Sequence, residues 1–396
     1  MARKTEYDKI LSWLLVLYIS LLPFEEALAS TLGSILKIVG LIIVIYCLIR
    51  YLRSKFTLKF LQIFLIIWLI YSIISLFWSS SFYWWNYFLK IYIGQIGFFL
   101  ILSMIPSWRI SLKSMRFGMI LGATIAALII LILPQASLIT AEGRRTIVIL
   151  GSELDPNIVC SIMILGIFSL MTPLFDKNNK TNLGINLILF LIISTGIFLT
   201  GSRGGIIAII VGFIAFVFLN MYSKNSSKNR LKIVGTIVII IVIIIIVWNI
   251  LPKELISTRF SFSTILGLNE NIPGVHNRYT IWKYALTVFS KQPLFGYGSG
   301  NFLIALSKVY RVTAAHNMYI LLLVENGIFG LSLLLIPIFW TVVKLFKIKQ
   351  YIVLSFFITI LIVNISLDGI TYKYFWISWL YAYIVIQQYR KDCKVI

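Results

Sequence analysis

Charge is scarce in this chain. Only 12% of its 396 residues are Asp, Glu, Lys or Arg, where a soluble domain of ordinary composition carries about 25%. Acids are the rarer sign, 13 against 35 bases, and there are two histidines (His276, His316) and three cysteines (Cys47, Cys160, Cys393). No His, Cys or carboxylate group falls at ligand spacing, which excludes a metal centre of the usual kinds, and no cofactor is expected. Cys47 and Cys160 sit in apolar runs and read as ordinary membrane residues. Internal repeats, coiled-coil heptads and long disordered tails are absent too. The start, "MARKTEYDK" running straight into apolar residues, lacks a signal-peptide cleavage pattern and reads as a retained first span.

What fills the chain instead is hydrophobic. Apolar residues make up 60% of it, and the mean hydropathy is +0.97. Apolar stretches of about 17–25 residues mark spanning helices, and twelve are predicted, near 11–29, 31–49, 60–78, 84–105, 117–134, 156–173, 183–200, 204–220, 232–250, 316–341, 351–367 and 372–389. The expected fold is an all-α polytopic membrane protein, a single integral membrane domain over 1–396. A long loop, about 251–315, lies between the ninth and tenth spans. No separate soluble domain is expected.

Basic residues alternate between connections. One set of connections holds 22 of the 35 Lys and Arg, while the short connections on the other side hold Arg144, Arg145, Arg203 and Lys373. The positive-inside rule then puts both termini in the cytoplasm and the 251–315 loop outside. Most of the +22 net charge is therefore topology signal and does not call for nucleic acid. The long loop runs against the trend with seven bases (Lys253, Arg259, Arg278, Lys283, Lys291, Lys308, Arg311) and two acids (Glu254, Glu270). Together with Arg144, Arg145 and Arg203 on the same face, it suggests a site for an anion.

Within the loop, Arg278, Trp282, Ala285 and Phe289 fall at helical spacing. They predict an amphipathic helix over 277–290 lying at the membrane interface. Pro293, Gly296, Gly298 and Gly300 break it, and a second short helix is expected over 302–310.

Arg203 stands out in "FLTGSRGGIIAII". A guanidinium in an apolar run costs a few kcal/mol and is by default a functional candidate. The plain alternative is an arginine reaching from a helix end to the headgroups, but the flanking glycines favour a close approach that such a residue does not need. His316 could be an interfacial structural histidine or a base, since imidazole titrates near neutral pH; His276 is the weaker candidate. Arg278, on the Trp282 face, suits a lipid-linked phosphate, because Arg grips phosphate bidentately. Arg144 and Arg145 precede Asp155-Pro156-Asn157, which reads as a helix start. Glu325 and Asn326 are buried polar groups that either orient His316 or hold helices together.

Taken in order, "GRRTIVILGSELDPN", "GSRGG", "NRYTIW", "PLFGYGSGNF" and "HNMYILLLVENGIFG" resemble the O-antigen ligase / O-antigen polymerase superfamily, over most of the chain. The resemblance implies a membrane-embedded, metal-independent glycosyltransferase of the C-type architecture in the bacterial cytoplasmic membrane. Its active site would face the periplasm or cell exterior. The donor would be an undecaprenyl-diphosphate-linked oligosaccharide and the acceptor a glycan or glycolipid, with a chain-length regulator and a flippase as partners. Arg203 and Arg278 match the family's diphosphate-holding arginines and His316 its acceptor-activating histidine. Arg144, Arg145, Trp282 and Asn317 are expected to line the diphosphate or glycan. Composition and length lean to the polymerase branch; a ligase passing polymer to lipid A–core shares the same motifs. A lipid or sugar transporter is the rival from another class, for which Lys37 and Lys90 could be cited, but no half-to-half repeat supports it.

Overall fold

A chain this apolar can satisfy its backbone inside a bilayer only through helices or a closed barrel, and helices dominate. The computed structural model describes residues 7–25, 34–51, 57–132, 137–139, 144–149, 152–175, 182–222, 234–235, 237–238, 241–242, 245–249, 251–259, 278–307, 309–310 and 314–392. In order the helices are α1 (Lys9–Ser20), α2 (Ile35–Tyr51), α3 (Phe60–Ile74), α4 (Phe82–Met104), α5 (Leu112–Ile132), α6 (Pro156–Met171) and α7 (Leu183–Leu199). After them come α8 (Arg203–Tyr222), α9 (Lys253–Arg259), α10 (Arg278–Phe289), α11 (Phe302–Ser307), α12 (Met318–Lys347), α13 (Tyr351–Val363) and α14 (Lys373–Asp392).

Among the described residues, five stretches are long and apolar enough to cross a membrane by themselves: Phe60–Trp78, Phe82–Met104, Leu112–Ile132, Arg203–Met221 and Met318–Lys347. Shorter apolar helices stand at Lys9–Phe24, Pro156–Met171, Leu183–Leu199 and Tyr351–Val363. These positions coincide with predicted spans. The ninth predicted span is described only in fragments, and His276, Lys308 and Arg311 lie outside the described residues.

The described residues fall into two compact units. The first draws on Met1–Tyr46, Trp108–Asn269 and Leu345–Ile360. Its centre is α6, buried at every position from Ile158 to Met171, as a helix apolar on all sides must be. Small residues let its neighbours come close: Gly122 of α5 lies against the Ser20 backbone, Gly166 of α6 against Ala123, and Gly196 of α7 against Ala127. α8 packs Ala208, Gly212 and Phe216 inward and exposes Ile207, Ile210, Ile214 and Phe218 at helical spacing. In water such a stripe would be a liability; facing lipid tails it costs nothing.

The second unit draws on Cys47–Ser107, Glu270–Lys344 and Leu361–Ile396. Its core is aromatic. Phe99 of α4 packs on Trp376, Trp379 and Tyr383 of α14 with ring centroids 6.0, 5.7 and 6.2 Å apart. The indole N–H groups are satisfied, Trp376 by the Ile370 carbonyl and Trp379 by Thr341 Oγ1, each at 2.9 Å.

Two features depart from the expectation. Residues 137–153 hold a three-stranded antiparallel sheet, β1 (Ser137–Ile139), β2 (Arg145–Ile149) and β3 (Ser152–Glu153), where a plain connection was expected. β-branched "RTIVI" suits a strand, and Thr146 Oγ1 donating to the Leu154 carbonyl ties β2 to the start of α6. In α10 the buried stripe is Ile281, Ala285 and Val288, one residue round from the predicted Arg278–Trp282–Ala285–Phe289 face. Both stripes carry apolar residues at helical spacing, so the spacing alone did not separate them. The second short helix is present but ends at Ser307.

Candidate functional site

The predicted residues divide between the units: Arg144, Arg145 and Arg203 in the first, Arg278, Trp282, His316 and Asn317 in the second.

In the first unit, α7 is capped by Thr200, whose N–H donates to the Gly196 and Ile197 carbonyls, while Gly201 N–H donates to the Phe198 carbonyl at 2.9 Å. Gly201 then takes φ +60°, a left-handed conformation that costs other residues about 1–2 kcal/mol. A Cβ there would lie 3.0 Å from Arg144 Cγ and 3.3 Å from Leu255 Cδ1. The turn lets α8 begin at Arg203, which is half-buried and has no acidic residue in its first turn. A cation at a helix N-terminus opposes the helix dipole by about 0.3–1 kcal/mol, yet guanidinium and dipole together favour an anion. Cys160 of α6 lies beneath this turn, in contact with the Thr200 and Ser202 hydroxyls, a place its apolar surroundings did not advertise.

Arg144 and Arg145, expected on the substrate, each hold backbone. Arg144 Nε donates to the Thr200 carbonyl at 2.9 Å and Nη2 to Asn157 Oδ1 at 3.0 Å. Arg145 Nη1 donates to the Ile130 carbonyl at 3.1 Å, covering one of the last-turn carbonyls that α5 cannot satisfy itself. Asp155 is the N-cap of α6, accepting from Asn157 N.

In the second unit, His316 sits at φ +50°, a conformation that few non-glycine residues adopt and that clusters at functional sites. The next residue is a cap: Asn317 Oδ1 accepts from Tyr319 N at 2.9 Å and Ile320 N at 3.1 Å, starting α12. Its own N–H donates to Asp368 Oδ1 at 2.9 Å. Asp368 keeps part of its surface exposed, but the protein around its carboxyl pushes it above the usual carboxylate range. The amides of Asn317, His316 and Ala315, and the charge of His316, pull it back down. Nothing in the sequence marked Asp368, which stands 52 positions after His316 between two apolar runs; only the fold brings it there. Trp282 Nε1 donates to the Ala315 carbonyl at 3.2 Å, so α10, with Arg278 one turn before Trp282, is fastened to the His316 turn.

Glu325 and Asn326 hold helix and loop together, the second of the two readings above. α12 breaks at Gly327, φ +64°, and a break inside an apolar helix strands backbone groups. The "PLFGYGSGN" loop fills that break. Tyr297 N and Gly298 N donate to the Val324 and Glu325 carbonyls, and Ile328 N donates to the Pro293 carbonyl. The Glu325 carboxylate, fully buried, accepts from Phe302 N at 3.2 Å and Tyr92 OH at 3.3 Å. Glu325→Ala leaves both donors buried and unpaired, which costs about 1–3 kcal/mol for each. It should therefore lower the unfolding temperature of the detergent-solubilised protein sharply. Glu325→Gln, which retains an acceptor oxygen, should lower it less. A wild-type melting curve for the alanine variant would show that Glu325 does not anchor the loop.

Among the described residues no group of three or more His, Cys, Asp or Glu could hold a metal ion. What the clusters offer is a guanidinium at a dipole end in one unit and, in the other, a strained histidine beside a carboxylate. These can stabilise an anionic leaving group and move a proton.

No curated protein matches the chain. Residues 188–335 match the protein-family model described as O-antigen ligase. That segment contains Arg203, Arg278, Trp282, His316 and Asn317 and excludes Arg144, Arg145 and Asp368. The match bears out, over residues 188–335, the resemblance carried by the last four motifs and supports placing this chain in the O-antigen ligase / O-antigen polymerase superfamily.

Proposed function

We propose that the protein is a surface-polysaccharide polymerase. It takes a glycan from undecaprenyl diphosphate on the outer face of the bacterial cytoplasmic membrane and joins it to an acceptor sugar hydroxyl. In this reading the chain has twelve spans and cytoplasmic termini, and the Arg203 turn and His316 both face outward.

The family match supports glycosyl transfer from a lipid-linked donor. The observation that carries the mechanism is the His316 turn, where a histidine held in a strained backbone neighbours a partly buried carboxylate that accepts from the Asn317 N–H. His316 removes the acceptor proton as the hydroxyl oxygen attacks the anomeric carbon. The bond from that carbon to the diphosphate breaks, and undecaprenyl diphosphate leaves with the bonding electrons. Arg203 and Arg278 neutralise its growing charge, which lets the step proceed without a metal. A single displacement inverts the anomeric centre. Lys37 and Lys90, the residues a transporter would use, are both exposed on their helices, which weakens that rival.

The ligase reading has the matched family's own description behind it. Deleting the gene and resolving the surface glycan on a gel separates the two. Collapse of the ladder to single repeats on the acceptor is the polymerase result. Polymer accumulating on undecaprenyl diphosphate with a bare acceptor is the ligase result, and an unchanged ladder overturns both.

A further inference from the structure

Two of the arginines expected to grip substrate are instead tied to backbone, and one of them is tied to the turn that aims Arg203. Thr200 is the cap residue of α7, and its carbonyl belongs to the set that a helix end leaves without an internal partner. Arg144 Nε supplies that carbonyl with a charged donor at 2.9 Å, and a cation there also complements the negative end of the α7 dipole. The same guanidinium is held from its other edge by Asn157 Oδ1 at 3.0 Å. Asn157 is fixed in turn: its Nδ2 and its backbone N–H both donate to Asp155 Oδ1, at 2.9 and 2.7 Å. Asn157 can present its oxygen to Arg144 because its amide nitrogen is committed to Asp155. Gly201 closes the arrangement, since its left-handed φ of +60° brings the turn against the Arg144 stem.

From this we infer that Arg144 is a positioning residue for Arg203, held by an Asp155–Asn157 relay, and that the Asp-Pro-Asn segment serves the substrate through that relay as well as starting α6. The inference rests on the reading that Arg203 binds the donor diphosphate. It assigns Arg144 a role different from direct phosphate contact, and it gives Asn157 a functional consequence although Asn157 touches only protein.

The test uses the full-length protein in detergent micelles with undecaprenyl diphosphate, free of glycan, as the probe. Affinity is measured for the wild type, Arg203→Ala, Asn157→Ala, Arg144→Gln and the Asn157→Ala/Arg144→Gln double variant, each checked for an unchanged unfolding temperature. Amide exchange is followed for residues 200–203 in the absence of probe. Asn157→Ala should weaken binding about tenfold, the scale of one lost hydrogen bond to a charged group. It should also speed exchange of the 200–203 amides. The double variant should bind no more weakly than Arg144→Gln alone, because Asn157 acts only through Arg144.

Wild-type affinity and exchange in Asn157→Ala, with Arg203→Ala defective, overturns the relay and leaves the donor site standing. Additive losses in the double variant also overturn it. Wild-type affinity in Arg203→Ala overturns the donor site itself, and the relay with it. Should Arg144→Gln fail to fold, Asn157→Ala decides alone, since it keeps the arginine and removes only its support.

Discussion

Arg203→Ala is expected to lower polysaccharide formation by about 10²–10³-fold, the usual effect of removing one preorganised group from a developing negative charge. The structure adds a second expectation that separates this loss from misfolding. Arg203 opens α8 with no acid in the first turn, so its charge opposes the helix dipole. Removing it should leave the unfolding temperature unchanged or slightly raised while product disappears. A residue kept for stability would show the reverse. Arg203→Lys should remain defective, because an ammonium is a point charge and cannot present the planar two-pronged donor that phosphate oxygens fit. Glycan ladders from a deletion strain carrying each variant, read beside protein abundance, make the comparison. A normal ladder from Arg203→Ala would remove this residue from the site.

The helices were the most legible part of the sequence. α4 and α12 announce themselves because about 20 apolar residues in a row have few other destinations. The turn at Gly201 was marked by the glycines of "GSRGG" and Arg203 by its contrast with its neighbours, whereas the break at Gly327 fell inside what read as one continuous span, 316–341. What stayed hidden was held by groups whose partners are remote in sequence. Asp368 meets the His316 turn through Asn317 N–H, a contact that exists only once α12 and α13 are folded. Arg144 read as a substrate-lining cation because its acceptors are a backbone carbonyl 56 positions on and the amide of Asn157; a carbonyl has no signature in a sequence. Glu325 gave the opposite difficulty. A buried acid near a candidate histidine reads as its orienting group as readily as a tie between helices, and only the break at Gly327 reveals that a loop needed its oxygens.

His316 provides the second large effect. Both His316→Ala and His316→Asn should cost about 10²–10⁴-fold in rate, the range for removing a general base. The pair matters because His316 lies at φ +50°. Asn adopts this region readily and Ala does not, so His316→Asn should keep the turn and the unfolding temperature while losing the base. Equal loss from both variants, with stability kept by the asparagine, points to chemistry; normal activity in His316→Asn would end the base assignment. Asp368 then sets the pH dependence. The base must be neutral to accept a proton, so kcat/KM falls as acid converts it to imidazolium. A carboxylate beside the imidazole favours that charged form, and the reciprocal attraction joins the Asn317 amide in drawing Asp368 down against burial. Asp368→Asn removes the charge but keeps an oxygen for the Asn317 N–H. Imidazolium is then disfavoured, and the acid limb of the kcat/KM profile moves to lower pH. The maximal rate falls as well, since the imidazolium formed during proton transfer loses its counter-charge. A limb that stays in place in Asp368→Asn would mean that the carboxylate braces the turn through Asn317 and takes no part in the proton transfer.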